Sequence, residues 1–280
     1  MTAALHNLIA LLDLEAIEVN IFRGRSPQED RQRVFGGQVA GQALVAAGRT
    51  VDVGDVHSLH AYFLRPGDPT VPILYEVDRI RDGRSFTTRR VVAIQHGQAI
   101  FNLQASFHAR EEGLSHQAPM PAAPDPETLP TWQQRMAPFI EQMGPWAERE
   151  RPIDTRPTDD LSWGSREARE PDSLVWLRAD GNLPDDPLLH ACVVASASDM
   201  SLLDTTLRPH GRNWEQGLMM ASLDHAMWFH RQFRADEWLL YAMTSPAAAG
   251  ARGFATGNIF TRQGELVVSV AQEGLIRVQR

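Results

Sequence analysis

Gly36–Val51 reads GGQVAGQALVAAGRTV and Asp186–Leu207 reads DPLLHACVVASASDMSLLDTTL. Both stretches are dominated by small and apolar residues, and Pro187 stands near the start of the second, where a helix tolerates it. Each is therefore predicted to be a buried helix. After each comes a strand centred on a histidine, HSLHAYFLRP around His60 and LDHAMWFHRQF around His225. Each then runs into two strands that meet at a glycine turn. The first unit, RDGRSFTTRRVVAIQHGQAIFNLQASFHA, turns at Gly97, and the second, ARGFATGNIFTRQGELVVSVAQEGLIRVQ, turns at Gly264. One order of helix, histidine-bearing strand and hairpin, met twice, reads as a tandem duplication.

A unit with one small-residue helix and several long antiparallel strands is an α+β layer, a curved sheet with its apolar face against the helix. Two such units can join their sheets side by side and cover edges that would otherwise stay open. Composition places the first unit at 1–113 and the second at 161–280. Between them, 114–160 holds SHQAPMPAAPDPETLP, a short helical stretch from Trp132 to Trp146, and RERPIDTRPTDD. Its proline density resists regular structure, so it is expected to be a surface-hugging linker.

The chain has 280 residues, near two domains at a prior of roughly 150 each. Lys plus Arg number 27 against 35 Asp plus Glu, a net charge of −8, so a nucleic-acid partner is not expected. The single cysteine, Cys192, excludes an intrachain disulfide and a cysteine-rich metal site, which fits a reducing, cytoplasmic setting. The N-terminal apolar run is interrupted by Asp13, Glu15 and Glu18 and reads as a short amphipathic helix, not a signal peptide. No apolar stretch approaches the roughly 20 residues of a membrane span, and the closing Ile276–Arg280 is no peroxisomal address. G-x-S-x-G, G-x-G-x-x-G, a Walker loop and H-E-x-x-H are all missing. His57, His60, His225 and His230 lack ligand spacing, so no metal is expected.

Few polar residues interrupt the apolar pattern. Asp199, among Ala195, Ala197, Met200, Leu202 and Leu203, either faces solvent where a helix ends or serves as a general base or water-orienting group. Ser222 lies in an alternating stretch that groups it with Met220, Asp224, Ala226 and Trp228 on one strand face, opposite Leu223, His225 and Met227. Gln272 falls on the apolar face of the last strand and must satisfy its amide there, as a core linchpin or a site residue. Counted from the turn glycines, its counterpart in the first unit is Ala105, and the first helix offers Gln38 and Gln42 in place of Asp199. The polar set is thus concentrated in the second unit. The densest basic region runs through Arg65, Arg79, Arg81, Arg84, Arg89 and Arg90, as solvated strand edges and turns or as phosphate contacts. Phe35-Gly36-Gly37-Gln38 opens the first helix, whose N-terminal amides could receive an anion or a thioester carbonyl. Cys192 reads as a small buried hydrophobe.

On VFGGQVAGQAL near Gly36, HSLHAYFLRPGD from His57, RDGRSFTTRRV from Arg81, ASDMSLL around Asp199, LDHAMWFHR from Leu223 and VAQEG around Gln272, the chain resembles the acyl-CoA thioesterase II family over nearly its whole length. The resemblance implies a double hotdog, two fused modules with a curved antiparallel sheet wrapped around a central helix. It implies hydrolysis of fatty acyl-CoA to a free acid and coenzyme A, with no cofactor and with a homo-oligomer, dimer or tetramer, as the assembly. The family's water-holding aspartate falls on Asp199 and its glutamine on Gln272. Its threonine falls on Ser222, which keeps the hydroxyl and loses the rotamer-restricting methyl. Substrate contacts are expected from Gly36, Gly37, Gln38, His60, Arg84 and Arg89. The other readings are an enoyl-CoA hydratase of the same fold and a non-catalytic acyl-CoA binder. The first commonly pairs its aspartate with a nearby histidine, whereas here the next is His210, beyond Pro209.

Overall fold

Period-two alternation builds one antiparallel sheet from both halves of the chain. The computed structural model describes residues 2–27, 32–159, 167–212 and 217–278. Within them, the first half supplies β1 (Glu15–Glu18), β2 (Ile21–Gly24), β3 (Asp55–Phe63), β4 (Ile73–Asp82), β5 (Phe86–Gln95) and β6 (Gln98–His108). The second supplies β7 (Ile153–Pro157), β8 (Asp172–Ala179), β9 (Leu218–Ser222), β10 (Asp224–Phe229), β11 (Leu239–Ala249), β12 (Arg252–Thr261) and β13 (Leu266–Val278). The spatial order is β1-β2-β4-β5-β6-β3-β10-β13-β12-β11-β8-β7, with β9 beside β13. The halves meet at β3 and β10, where His60 lies opposite Ala226 and Leu59 opposite Met227. Each half thereby covers an edge of the other. This is the tandem hotdog arrangement expected of the chain.

The two predicted helices form α2 (Gly36–Gly48) and α6 (Pro187–Ser198). Both are small and apolar all round, and Gly37–Ala47 and His190–Ser198 are buried throughout, as such helices must be. They run antiparallel against each other inside the curve of the sheet, and one apolar cluster spans both modules. Close approach depends on missing side chains. A Cβ at Gly41 would lie 3.2 Å from the Cys192 carbonyl, and one at Gly37 only 2.3 Å from the Ser196 carbonyl. The predicted amphipathic N-terminal helix is α1 (Ala3–Leu12), capped by Thr2 and buried along Leu5, Leu8 and Leu12.

The second helix is shorter than its apolar stretch predicts. It stops at Ser198, with Asp199 as its C-cap, and the chain continues as a 3-10 helix over Leu203–His210. That turn lies against β12 and β13, where Gly253 and Gly274 leave room for Thr206 and Leu203. Tertiary packing has replaced the continuation that helix propensity favours.

The proline-rich connector follows the surface, with α3 (Trp132–Met136), α4 (Ile140–Met143) and α5 (Pro145–Glu148) within it. Its last part, Ile153–Pro157, pairs with β8 as an edge strand, where proline is tolerated. Met120, Ala123 and Leu129 cover Trp176, Trp238, Leu240 and Phe260. Trp176 Nε1 donates to the Pro124 carbonyl at 2.9 Å and Trp238 Nε1 to Glu127 Oε1 at 2.8 Å. Among the described residues, no helix is long and apolar enough to cross a membrane.

Replacing Gly37 with Ala should destabilise the chain by about 1–3 kcal/mol in chemical denaturation, because a backbone carbonyl must shift. Gly113→Ala, with nothing within 4 Å, should stay within about 0.5 kcal/mol of the parent.

Candidate active site

The end of α6 turns a carboxylate inward. Asp199, half-buried at the C-cap, accepts the Ser222 hydroxyl on Oδ1 at 2.9 Å and the Gln272 amide Nε2 on the same oxygen at 2.6 Å. Of the two sequence alternatives, the helix does end at Asp199, yet its side chain is engaged by protein. Its other oxygen, Oδ2, faces the first turn of α2, and a Cβ at Gly36 would stand 2.9 Å from it. Gln272 is fully buried and its Oε1 has no hydrogen-bond partner. An orphaned acceptor thus sits beside a carboxylate oxygen and the start of a helix, where backbone N–H groups lack intrahelical partners.

Ser222 reaches this cluster through a break that alternation does not reveal. The predicted continuous strand is interrupted at Leu223. Before the break Ser222 pairs with Gly274, and after it Ala226 pairs with Ala271, a one-residue shift in register. The extra residue is held by both neighbours: Leu223 N donates to the Glu273 carbonyl, and Phe63 N donates to the Leu223 carbonyl, each at 2.9 Å. Asp224 Oδ1 takes the Glu273 N–H at 2.7 Å. A one-residue shift reverses the faces. Ser222 therefore joins His225 and Met227 on the inner face, and its predicted grouping with Asp224, Ala226 and Trp228 is corrected.

The surroundings are electrostatically costly. Burial, reinforced by the charge of Asp199, raises the Asp204 carboxyl to about 6. Its side chain still reaches solvent, so protein crowds it without sealing it. Burial also lifts the Tyr241 phenol well above its ordinary range, again with Asp199 adding to the effect. His225 is fully enclosed and held below its ordinary value by burial, while Asp199 and Asp224 pull the other way. Cys192 is buried and its thiol pushed up, as suits a small apolar residue.

The remaining predicted contacts divide. Gly36 and Gly37 are at the site, at the start of α2. The Gln38 side chain is spent inside the fold, donating to the Arg25 carbonyl at 3.1 Å and Ser26 Oγ at 3.2 Å. His60 lies exposed on the outer sheet face, edge-on to Trp228 at 5.3 Å, and not on the face that bears Gln272. Arg89 is corrected too. It is 1% exposed and donates to Thr50 Oγ1 and the carbonyls of Thr50, Arg81 and Thr88, besides Asp82. A guanidinium so fully engaged has no donor left for a phosphate. Arg84 is exposed in the turn between β4 and β5. Among the described residues, no group of three or more His, Cys, Asp or Glu could hold a metal ion.

This arrangement can be set beside known proteins. The family model for acyl-CoA thioesterase matches residues 148–275, and that for the acyl-CoA thioesterase N-terminal domain matches 25–108. Human acyl-coenzyme A thioesterase 8 is 43% identical over 287 aligned positions, 96% of this chain and 88% of that protein. The chain belongs to the acyl-CoA thioesterase II family. Acyl-CoA thioesterase 2 of Haemophilus influenzae is 39% identical over 99% of both chains. The crystal structure of the acyl-CoA thioesterase II TesB2 from Mycobacterium marinum superposes with a TM-score of 0.81 at 48% identity, covering 97% of this chain and 98% of that one. A hot dog fold protein from Alicyclobacillus acidocaldarius, at 20% identity and a TM-score of 0.80 over 98% of this chain, shares the fold. The thioesterase is thus a thioester hydrolase with an α+β tandem hotdog.

Because Asp204 is raised from 3.8 to about 6, the folded state holds its proton while the unfolded chain releases it. Its stabilising effect is complete below 3.8 and is lost as pH rises to about 6. Asp204→Asn should therefore raise Tm above pH 6, modestly because solvent screens the charge, and the gain should vanish below 3.8 in thermal scans across pH.

Proposed function

We propose that this thioesterase hydrolyses fatty acyl-CoA to a free fatty acid and coenzyme A by direct attack of a water held at Asp199, Ser222 and Gln272. The observation that carries the reading is the convergence of Ser222 and Gln272 on one oxygen of Asp199. Those bonds fix the carboxylate plane and leave Oδ2 and the orphaned Gln272 Oε1 as acceptors for the two hydrogens of a water. The water oxygen bonds to the thioester carbonyl carbon and its proton passes to Asp199. The C–S bond then breaks, and coenzyme A leaves as thiolate and takes up a proton. No acyl-enzyme and no cofactor enter this scheme.

Charge developing on the carbonyl oxygen needs donors. The first α2 amide to bond within the helix is that of Val39, to the Phe35 carbonyl at 3.4 Å. The preceding N–H groups, at Gly36, Gly37 and Gln38, are the donors we assign to the oxyanion. Gly36 then serves twice, since any side chain there would collide with Asp199 Oδ2. With Arg89 internal, exposed Arg84 is the remaining one of the two predicted arginines for the coenzyme phosphates.

Asp199→Asn should lower kcat for release of free coenzyme A by about a hundredfold or more, with the fold intact by circular dichroism. Gln272→Ala should fall in the same direction. Wild-type turnover in Asp199→Asn would overturn the assignment. We also propose a cytoplasmic homodimer or tetramer built on the outer sheet face, where Tyr62 is 58% and Trp228 37% exposed. Sedimentation velocity should show the assembly, and a monomer at micromolar concentration would refute it.

A further inference from the structure

Ser198, the residue immediately before Asp199, is fully buried and unusually well held for a serine in a helix. Its hydroxyl donates to the Ala195 carbonyl at 3.1 Å and lies 2.8 Å from His225 Nε2 and 3.6 Å from Met227 Sδ. Its own carbonyl accepts the Tyr241 hydroxyl at 3.5 Å. One hydroxyl proton serves both strong contacts only if His225 carries its proton on Nε2 and donates to Ser198, leaving Nδ1 as the lone-pair nitrogen. Nδ1 is buried with no hydrogen-bond partner. Burying an imidazole with one nitrogen unsatisfied costs stability, so an apolar pair would serve packing better.

The first module has apolar residues at the matching positions. Leu59 lies opposite Ala105 on paired strands, and His225, one step beyond the Ala226–Ala271 pair, falls opposite Gln272. Since Ala105 and Gln272 are counterparts across the two hairpins, Leu59 is the counterpart of His225. Likewise Ala47 stands to the helix crossing at Gly41 as Ser198 stands to Cys192. Ala47 and Leu59 are both fully buried. The matching interior positions are thus apolar in the module without the carboxylate and hydrogen-bonded in the module that carries it.

We propose that the His225–Ser198 hydrogen bond is a positioning device for Asp199. It ties the last turn of α6 to β10, the strand that follows Ser222 across the Leu223 break, so that Asp199 and Ser222 share one reference frame. Neither His225 nor Ser198 touches substrate. The inference rests on Asp199 being the group that holds the water.

The test is steady-state thiol release from short-, medium- and long-chain saturated acyl-CoA by the full chain, with Asp199→Asn, Ser198→Ala, His225→Leu and His225→Gln compared. Ser198→Ala and His225→Leu should each lower kcat about tenfold with KM within about twofold, as expected when a reacting group loses its placement. His225→Gln, whose side-chain amide can again donate to Ser198, should recover part of that loss, and His225→Leu in a Ser198→Ala background should add little more. Ser198→Ala is a small change inside an alanine-rich helix, so it reports even where His225→Leu does not fold. Wild-type kcat in Ser198→Ala, or His225→Gln no better than His225→Leu, overturns the positioning role. Substantial activity in Asp199→Asn would instead overturn the water-holding role of Asp199 itself.

Discussion

Backbone contact between two buried helices sets the rest of this molecule. At Gly37 and Gly41 the helix of one module comes against carbonyl oxygens of the other, closer than any side chain at Gly37 would permit. That proximity brings the unpaired amides at the start of α2 to the carboxylate at the end of α6. A site assembled this way needs both modules, since one supplies the helix start and the other supplies Asp199, Ser222 and Gln272. Fusion in one chain guarantees the pairing that two separate subunits would have to find by association.

Within that frame the modules have diverged in chemistry more than in shape. Ala105 and Leu59 fill in the first module the interior positions that Gln272 and His225 fill in the second. Burying polar groups is tolerated where each finds a partner, and Gln272 Nε2, Ser222 Oγ and Ser198 Oγ all do. Two of the buried side-chain atoms without a hydrogen-bond partner, Gln272 Oε1 and His225 Nδ1, belong to residues that interact with Asp199. Buried polar groups left without a partner cost stability, and the proposed water-holding role of Asp199 gives those two a reason to be there.

The duplication, the two small-residue helices and the glycine-turn hairpins were legible in the linear pattern, and the resemblance singled out Asp199, Ser222 and Gln272, which the fold brings together. Three placements were not. Ser222 was assigned to the wrong face because a bulge at Leu223 leaves no mark in apolar alternation. Arg89 looked like a surface cation, since a charge on a strand is usually solvated, yet Thr50, Asp82 and three backbone carbonyls enclose it. His60 and His225 looked equivalent, but strand register makes Leu59 the counterpart of His225 and puts His60 outside.

The sequence alone determined the architecture, because period, propensity and turn chemistry are local properties that each segment carries with it. It pointed to the family and to the candidate site residues for the same reason, since those lie in short contiguous motifs. Which atoms face one another was decided only by tertiary structure. A helix that stops at Ser198, a one-residue register shift and a glycine crossing between distant helices are settled by packing between segments far apart in the chain. Those three contacts point Asp199 inward, turn Ser222 toward it and bring Gly36 against its free oxygen.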